Sequence, residues 1–358
     1  MKLRIVIKMV SALLVGWAVI APAYAQQAMT FFMETDQTKR WAAKMSGDGL
    51  EDIYASGDIT EGTADRFLAF IRQNGVEGAK VHFNSLGGSL LEGMKMGRAI
   101  RTMEFSTTVG VYNPRYVEGA NQNAICASAC AYAYAGGTSR YLNEYTGRLG
   151  VHQFYSNDNA SVSGETVQQI SGLIVAYLDQ MGIDAKAFTI STLADRNGVI
   201  WLAPSDALKL RFANNGVELP SAEIKLAGMS PYLRVQQNHA NVTTRVLFNC
   251  EGKRIHMTFG MVTDPDTSAM IGENQKRSYL ELDGKEFLVE MGKTGAVANQ
   301  SVVWIARFLT AQTLVQVIKS ENVGGWVDGF GAVRYGATLD MPTVRSKIAE
   351  FAKQCYGL

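Results

Sequence analysis

The stretch NAICASACAYAYAGGTSRYLNEYTGRLGVHQF, Asn123 to Phe154, decides how this chain is read. It opens on a strand-like Ala124-Ile125 and then crowds small residues together, Cys126-Ala127-Ser128-Ala129-Cys130. A short apolar helix follows and ends at Gly136-Gly137, after which a turn and a further strand lead to Val151-His152. A serine at the start of a helix sits where backbone N–H groups point outward and the helix dipole favours negative charge. Ala127, Ala129 and Ala131 leave room for another backbone segment to come close. A hydroxyl needs a base to become a nucleophile, and donors aimed at the oxyanion it creates. Ser128 is therefore read as the candidate nucleophile and His152, at a strand end, as the candidate base. Upstream, the Gly87-Gly88 turn has no Cβ to shield its N–H groups and can supply a second oxyanion donor. The plainer alternative is a small-residue strand–helix junction and a structural histidine. His82 lies in mid-strand and is expected to be structural, while His239 and His256 have no partner motif nearby.

Outward from this stretch the chain alternates strands and helices. Asp52–Gly57 reads as a strand, and Thr63–Gln73 as a helix closed by Asn74-Gly75, glycine being the usual C-terminal stop. Ala79–Asn84 is the next strand, Ser85–Ser89 a tight turn, and Leu90–Met103 a helix with Leu91, Met94, Ile100 and Met103 as core positions. Thr107–Tyr112 is a third strand. This is a βαβ rhythm and implies a mainly parallel sheet covered by helices. Asn113–Asn123 and Ser156–Asn159 are polar loops beside the site. Ser163 opens a long helix whose Val167, Ile170, Ile174, Tyr177, Leu178 and Met181 recur at helical spacing. Asp184–Leu193 and Pro204–Leu210 are shorter helices, the second beginning at proline. Gln26–Leu50 is a poorly defined arm. Beyond Asn214-Asn215-Gly216, residues 222–242 read as a connector, and from Thr243 the pattern is strand-rich: RVLFNC, RIHMTFG, YLELDG and KEFLVEM. Ser301–Phe308 and Thr313–Ile318 fit strand or helix, and Thr343–Cys355 is a closing amphipathic helix.

The 358 residues suffice for two cores, and 47% apolar with 19% charged residues describes a globular protein. With 34 basic and 33 acidic side chains the formal net charge is +1, which argues against a broad nucleic-acid surface. Lys2, Arg4 and Lys8, the uncharged run Val10–Ile20 and Ala23-Tyr24-Ala25 form a secretory signal peptide with cleavage after Ala25. The run is short of the roughly 20 residues a membrane span needs, so no stable span is expected after cleavage. The mature chain is expected to be periplasmic or secreted. Of the four cysteines, Cys250 in a strand and Cys355 in the terminal helix are the favoured disulfide. Cys126 and Cys130 either bridge each other or stay reduced as small core residues. C-x3-C is not a usual zinc-knuckle spacing, and neither metal nor cofactor is expected.

Four segments resemble the proteolytic subunit of the Clp protease and its relatives in the Clp/crotonase fold, over roughly Asp52 to Asn214. Gly57-Asp58-Ile59 resembles the exit of the family's first strand. Asn84-Ser85-Leu86-Gly87-Gly88 resembles its N-S-P-G-G turn, with Leu86 in place of proline. Ala127-Ser128-Ala129 is similar to the nucleophile turn, and Arg148-Leu149-Gly150-Val151-His152-Gln153 to the strand bearing the base. The C-A-S-A-C, G-G and R-L-G-V-H pattern is similar to a group of secreted bacterial proteins of this fold. The resemblance implies Ser128 as nucleophile, His152 as base, and the N–H groups of Gly88 and Ala129 as oxyanion hole. It departs from the family at the third member. Counting back from Leu202-Ala203-Pro204-Ser205-Asp206-Ala207 reaches Asn197, where the family has an aspartate. Asn197 and Asp195 stand level as candidates, and Asp206 is expected on a helix surface. An asparagine can orient a histidine but brings no charge to the imidazolium.

The resemblance also implies that the helix from Ser163 can assemble subunits into a homo-oligomer. The expected organisation is a signal peptide (1–25), an α/β Clp/crotonase-like domain of βαβ repeats (26–221), a linker (222–242) and a smaller strand-rich α+β domain (243–358). The expected activity is that of an ATP-independent serine peptidase acting on peptides or proteins, with no nucleic-acid partner. The alternative is a non-catalytic module of the same fold that binds envelope proteins or peptides. A crotonase-like acyl-thioester enzyme ranks last, since secretion removes it from the coenzyme A pool.

Overall fold

The computed structural model describes residues 27–46, 49–113, 120–154, 163–194, 198–239, 242–252, 254–287 and 295–356. The signal-peptide reading of residues 1–25 therefore lies outside the described residues, as do Ser156–Asn159. The first part of the chain runs β1 (Thr30–Met33), α1 (Gln37–Ser46), β2 (Glu51–Ser56), α2 (Thr63–Asn74), β3 (Ala79–Asn84), α3 (Leu90–Thr102), β4 (Ser106–Val109), β5 (Ile125–Ala127), α4 (Ala129–Ala135), β6 (Arg140–Tyr141), β7 (Arg148–Val151), α5 (Gly164–Gln180), α6 (Lys186–Thr192), β8 (Ile200–Leu202) and α7 (Pro204–Lys209). A 5-stranded sheet has the order β1-β2-β3-β4-β6, and a 3-stranded sheet the order β5-β7-β8. The pairs β2-β3, β3-β4 and β4-β6 are parallel, as the βαβ rhythm requires, while β1 adds antiparallel to β2. The arm read as poorly defined thus holds a strand and a helix. Its weak apolar pattern hid them, because an edge strand needs only one buried face.

Burial follows the period-2 alternation in β3, whose Ala79, Val81 and Phe83 are buried. In α2, Phe67 and Ile71 face inward, and the helix stops where Gly75 takes φ 60°. In α3, Met94 and Ile100 are buried, but Leu91, expected in the core, is 57% exposed. The helix turns that position toward an open cleft instead. Ser89 accepts the Glu92 N–H to cap α3, while the Glu92 carboxylate reaches across to the N–H of Ala64 in α2 and to Lys95. Burial pushes the Glu92 carboxyl up, but the bonds from Lys95 and from the Ala64 N–H together hold it below its ordinary value.

The second part runs β9 (Ser221–Ala227), β10 (Ser230–Asn238), β11 (Thr243–Glu251), β12 (Arg254–Val262), α8 (Pro265–Glu273), β13 (Gln275–Leu282), β14 (Lys285–Phe287), β15 (Val297–Asn299), β16 (Val302–Leu309), α9 (Ala311–Lys319), β17 (Asn322–Gly329), β18 (Arg334–Asp340) and α10 (Arg345–Tyr356). Its strands form a 6-stranded sheet, β15-β16-β12-β11-β10-β9, and a 4-stranded sheet, β14-β13-β17-β18. The stretch 222–242, read as a connector, is largely strand: β9 and β10 pair antiparallel and β10 pairs with β11. Leu233, Val235 and Gln237 alternate inward there, a period masked in sequence by the polar Gln237. Gln237 is buried because its amide binds the Glu218 carbonyl and Asp340. The two ambiguous segments resolve as strand (β16) and helix (α9).

Two separate hydrophobic clusters result, one from Met29 to Ala213 and one from Ala222 to Ala352. The molecule is a mixed α/β structure with several sheets. Cys250 and Cys355 bridge β11 to α10 with Cα atoms 5.6 Å apart. Cys126 and Cys130 bridge each other across Ser128 with Cα atoms 5.2 Å apart. Arg140 is buried and donates to the carbonyls of Phe212, Gly137 and Arg211, tying β6 to the segment after α7. Burial pulls its guanidinium down to about 10, with Arg101 beside it acting in the same direction. Among the described residues no helix is long and apolar enough to cross a membrane.

Candidate active site

Ser128 stands between the end of β5 and the start of α4 with φ 58° and ψ −127°. A non-glycine residue at positive φ is uncommon and costs on the order of 1–3 kcal/mol, so its surroundings must impose it. They do so from several sides. The strand before it is held by Ser85, whose N–H donates to Ile125 and whose carbonyl accepts from Ala127. The Ser128 N–H donates to Gly150 of β7, and its carbonyl accepts from Ala131 in α4. The turn Ser85–Ser89 presses on it from above. A Cβ at Gly87, which has φ +109°, would lie 2.6 Å from the Ser128 Cβ and 2.9 Å from the Ala129 nitrogen. Only glycine fits there.

This close approach brings the turn that holds Gly88 against the Ala129 backbone. Among the described residues neither N–H meets an acceptor, since the bonds of the turn run instead through Gly87, Ser89 and Ile59. The Ser128 hydroxyl does not cap α4, and among the described residues it makes no hydrogen bond. It is therefore not bonded to His152. Such contacts are often loose in unliganded sites and tighten with substrate.

His152 follows β7, which pairs parallel with β5 and antiparallel with β8. Gly150 of β7 packs under Val199 and the Trp201 ring, and Arg148 lies 4.4 Å from the centre of that ring. The strand is thus packed closely against β8. His152 Nδ1 is 2.6 Å from the Gln153 carbonyl. A carbonyl can only accept, so Nδ1 is the donor in this contact. Asp195 and Asn197, the two candidates for the third member, lie outside the described residues.

Ser128, His152 and Gly88 line one cleft of about 810 Å³. Leu86, Leu90, Leu91, Met94, Tyr132, Phe154, Ile170 and Leu173 give it apolar surface, and Asp58, Thr60 and Ser89 give it polar surface. Leu86, Leu91 and Leu173 are exposed on its rim, at 66%, 57% and 50%. Helical periodicity alone assigned Leu91 to the core, so this rim was not legible in sequence. Burial pushes the Tyr132 phenol up to about 12, against a smaller opposing effect from Ser191, and the group stays a neutral phenol rather than a base. His82 Nε2 is 2.7 Å from Asp52. His239 bonds Thr338, and His256 lies against Phe308. Asp206 lies on the surface of α7 beside Lys209.

No family model matches the chain, and no curated protein does. Among solved structures it is similar to a variant of the 1510-N membrane-bound stomatin-specific protease, at 18% identity over 45% of this chain and 75% of that one, with a TM-score of 0.30. A second variant of that protease, in complex with a substrate peptide, matches at 19% identity over 45% and 71%, with a TM-score of 0.30. A variant of ClpP1 from Listeria monocytogenes matches at 16% identity over 44% and 85%, with a TM-score of 0.31. A likeness at this level carries no argument about chemistry, and the site stands on its own geometry.

Proposed function

We propose that this chain is an ATP-independent serine hydrolase that cleaves peptides or proteins outside the cytoplasm. The observation that carries this reading is the backbone of Ser128, held at φ 58° on a strand-to-helix turn that opens into the cleft it shares with His152. A residue in such a conformation presents its side chain away from both flanking elements, and strain of this kind collects at functional sites.

In the proposed reaction His152 Nε2 takes the Ser128 hydroxyl proton as Oγ attacks the substrate carbonyl. The N–H groups of Gly88 and Ala129 receive the oxyanion. The imidazolium then gives its proton to the leaving amine, and water, activated by the same histidine, releases the acyl group. The Gln153 carbonyl accepts from Nδ1–H and orients the ring; Asp195 and Asn197 are kept as the two candidates for a third side chain. The leucine-rich rim suits an extended chain with large apolar side chains. Two disulfides fit the oxidising compartment that the signal peptide implies. The division is proposed to fall between Ala213 and Ala222, where one hydrophobic cluster ends and the other begins, with Ser128 and His152 in the first part; α5, which exposes Val167 and Val175, is the proposed assembly surface.

A fluorophosphonate probe should label the protein at Ser128, and Ser128→Ala should abolish the label. Undiminished labelling of Ser128→Ala would overturn the assignment. The second reading, a non-catalytic module binding envelope proteins or peptides, is favoured by the unbonded Ser128 hydroxyl. Peptide turnover that disappears in His152→Ala rules that reading out.

A further inference from the structure

We infer that the Cys126–Cys130 disulfide is a positioning device for the nucleophile, holding Ser128 in its reactive backbone conformation. This rests on the reading of Ser128 as nucleophile and adds to it.

The bridge spans the turn symmetrically: Cys126 lies in β5, two residues before Ser128, and Cys130 lies in the first turn of α4, two residues after it. Fixing those two Cα atoms 5.2 Å apart fixes the angle at which the strand enters the helix. That angle is what a positive φ at Ser128 produces. Without the tie, Ser128 could relax toward ordinary right-handed φ and extend α4 backward by a residue. The hydroxyl would then leave the cleft and the Ala129 N–H would turn into the helix. The helix itself cannot resist this, because α4 has only 7 residues and short helices are marginal by themselves.

Placement separates this role from general stabilisation. Loop-closure entropy grows with the logarithm of the loop, so a bridge between residues 4 apart constrains the unfolded chain far less than the Cys250–Cys355 bridge, with its separation of 105. Both site cysteines are fully buried, at 0% exposure. The brace is therefore closed to outside thiols in the folded state and acts as a fixed part of the site. Two other contacts help to hold the turn, since Gly87 packs on the Ser128 Cβ and Gly150 accepts its N–H. Neither ties strand to helix by a covalent bond.

The test compares three forms of the full chain by rate and end-point of fluorophosphonate labelling, with far-UV circular dichroism to confirm folding. In Cys126→Ala/Cys130→Ala the acylation rate constant should fall roughly 10- to 100-fold, the scale of a misplaced reacting group, while the fraction finally labelled stays near that of the wild type. Cys126→Val/Cys130→Ala restores apolar volume without the bond. It should show the same slow rate, and it serves if the first variant folds poorly. Cys250→Ala/Cys355→Ala should lose more thermal stability yet acylate at the wild-type rate. A merely structural disulfide would lower the labelled fraction together with the folded fraction and leave the rate constant unchanged. That outcome overturns the brace while leaving Ser128 as nucleophile. A wild-type protein that takes no label at Ser128 overturns both.

Discussion

Replacing Gly87 by alanine should separate catalytic placement from stability more sharply than any change to the proposed nucleophile, Ser128. The added Cβ would fall 2.6 Å from the Ser128 Cβ, 2.7 Å from the Ala127 carbonyl oxygen and 2.9 Å from the Ala129 nitrogen. Ordinary contact begins at 3.4 Å, so the turn and the nucleophile must part by about 0.8 Å. All three contacted atoms are backbone or Cβ, which cannot swing aside. Alanine must also adopt φ +109°, at a cost of roughly 1–3 kcal/mol. A displacement near 1 Å between oxyanion donors and nucleophile is worth on the order of 100-fold in rate, equivalent to about 2.7 kcal/mol. The control is Gly75→Ala at the end of α2, where φ is +60° and nothing lies within 4 Å of the new Cβ. It carries a backbone cost of about 1 kcal/mol and no steric one. The assay is the second-order rate of fluorophosphonate acylation, read beside the urea midpoint of each variant. Gly87→Ala should lose about two orders of magnitude in rate, and Gly75→Ala should shift only its midpoint. A Gly87→Ala protein that acylates within threefold of wild type refutes the proposed catalytic role of this turn beside Ser128.

Removing the Cys250–Cys355 bridge by double alanine substitution should destabilise the chain by about 4–5 kcal/mol in urea unfolding, the loop-entropy value for a separation of 105 residues, and a loss under about 1 kcal/mol would contradict it. Arg40, and Lys44 after it, bond the Glu51 carboxylate and hold it below its ordinary value of 4.5. Because the folded value is depressed, its stabilisation is complete above pH 4.5 and is lost as the pH falls through the lower folded value. Glu51→Gln should therefore show a shallower acid-side fall in thermal midpoint than wild type, and parallel pH profiles would sink this.

Much of the fold was legible because its signals are local. The strand Ala79–Asn84 and the stop of α2 at Gly75 follow from alternation and from a left-handed glycine. The hairpin β9-β10 was not legible, since Gln237 is buried through partners at Glu218 and Asp340 that are remote in sequence. Leu91 shows the same limit at the site, where a helical stripe cannot tell a core from a cleft wall.

By itself the sequence determined which residues can do chemistry here: one serine among small residues at a strand–helix junction, a Gly-Gly turn, and a histidine at a strand end. Residue type and local backbone preference are properties of short segments, so they survive without a structure. Only the tertiary structure decided that these three segments share a cleft, that Gly87 packs on Ser128, and that His152 turns Nδ1 to the Gln153 carbonyl. It also decided that Cys126 closes on Cys130 rather than staying reduced. Each of these depends on where β5, β7 and the turn after β3 come together, and no short segment contains that information.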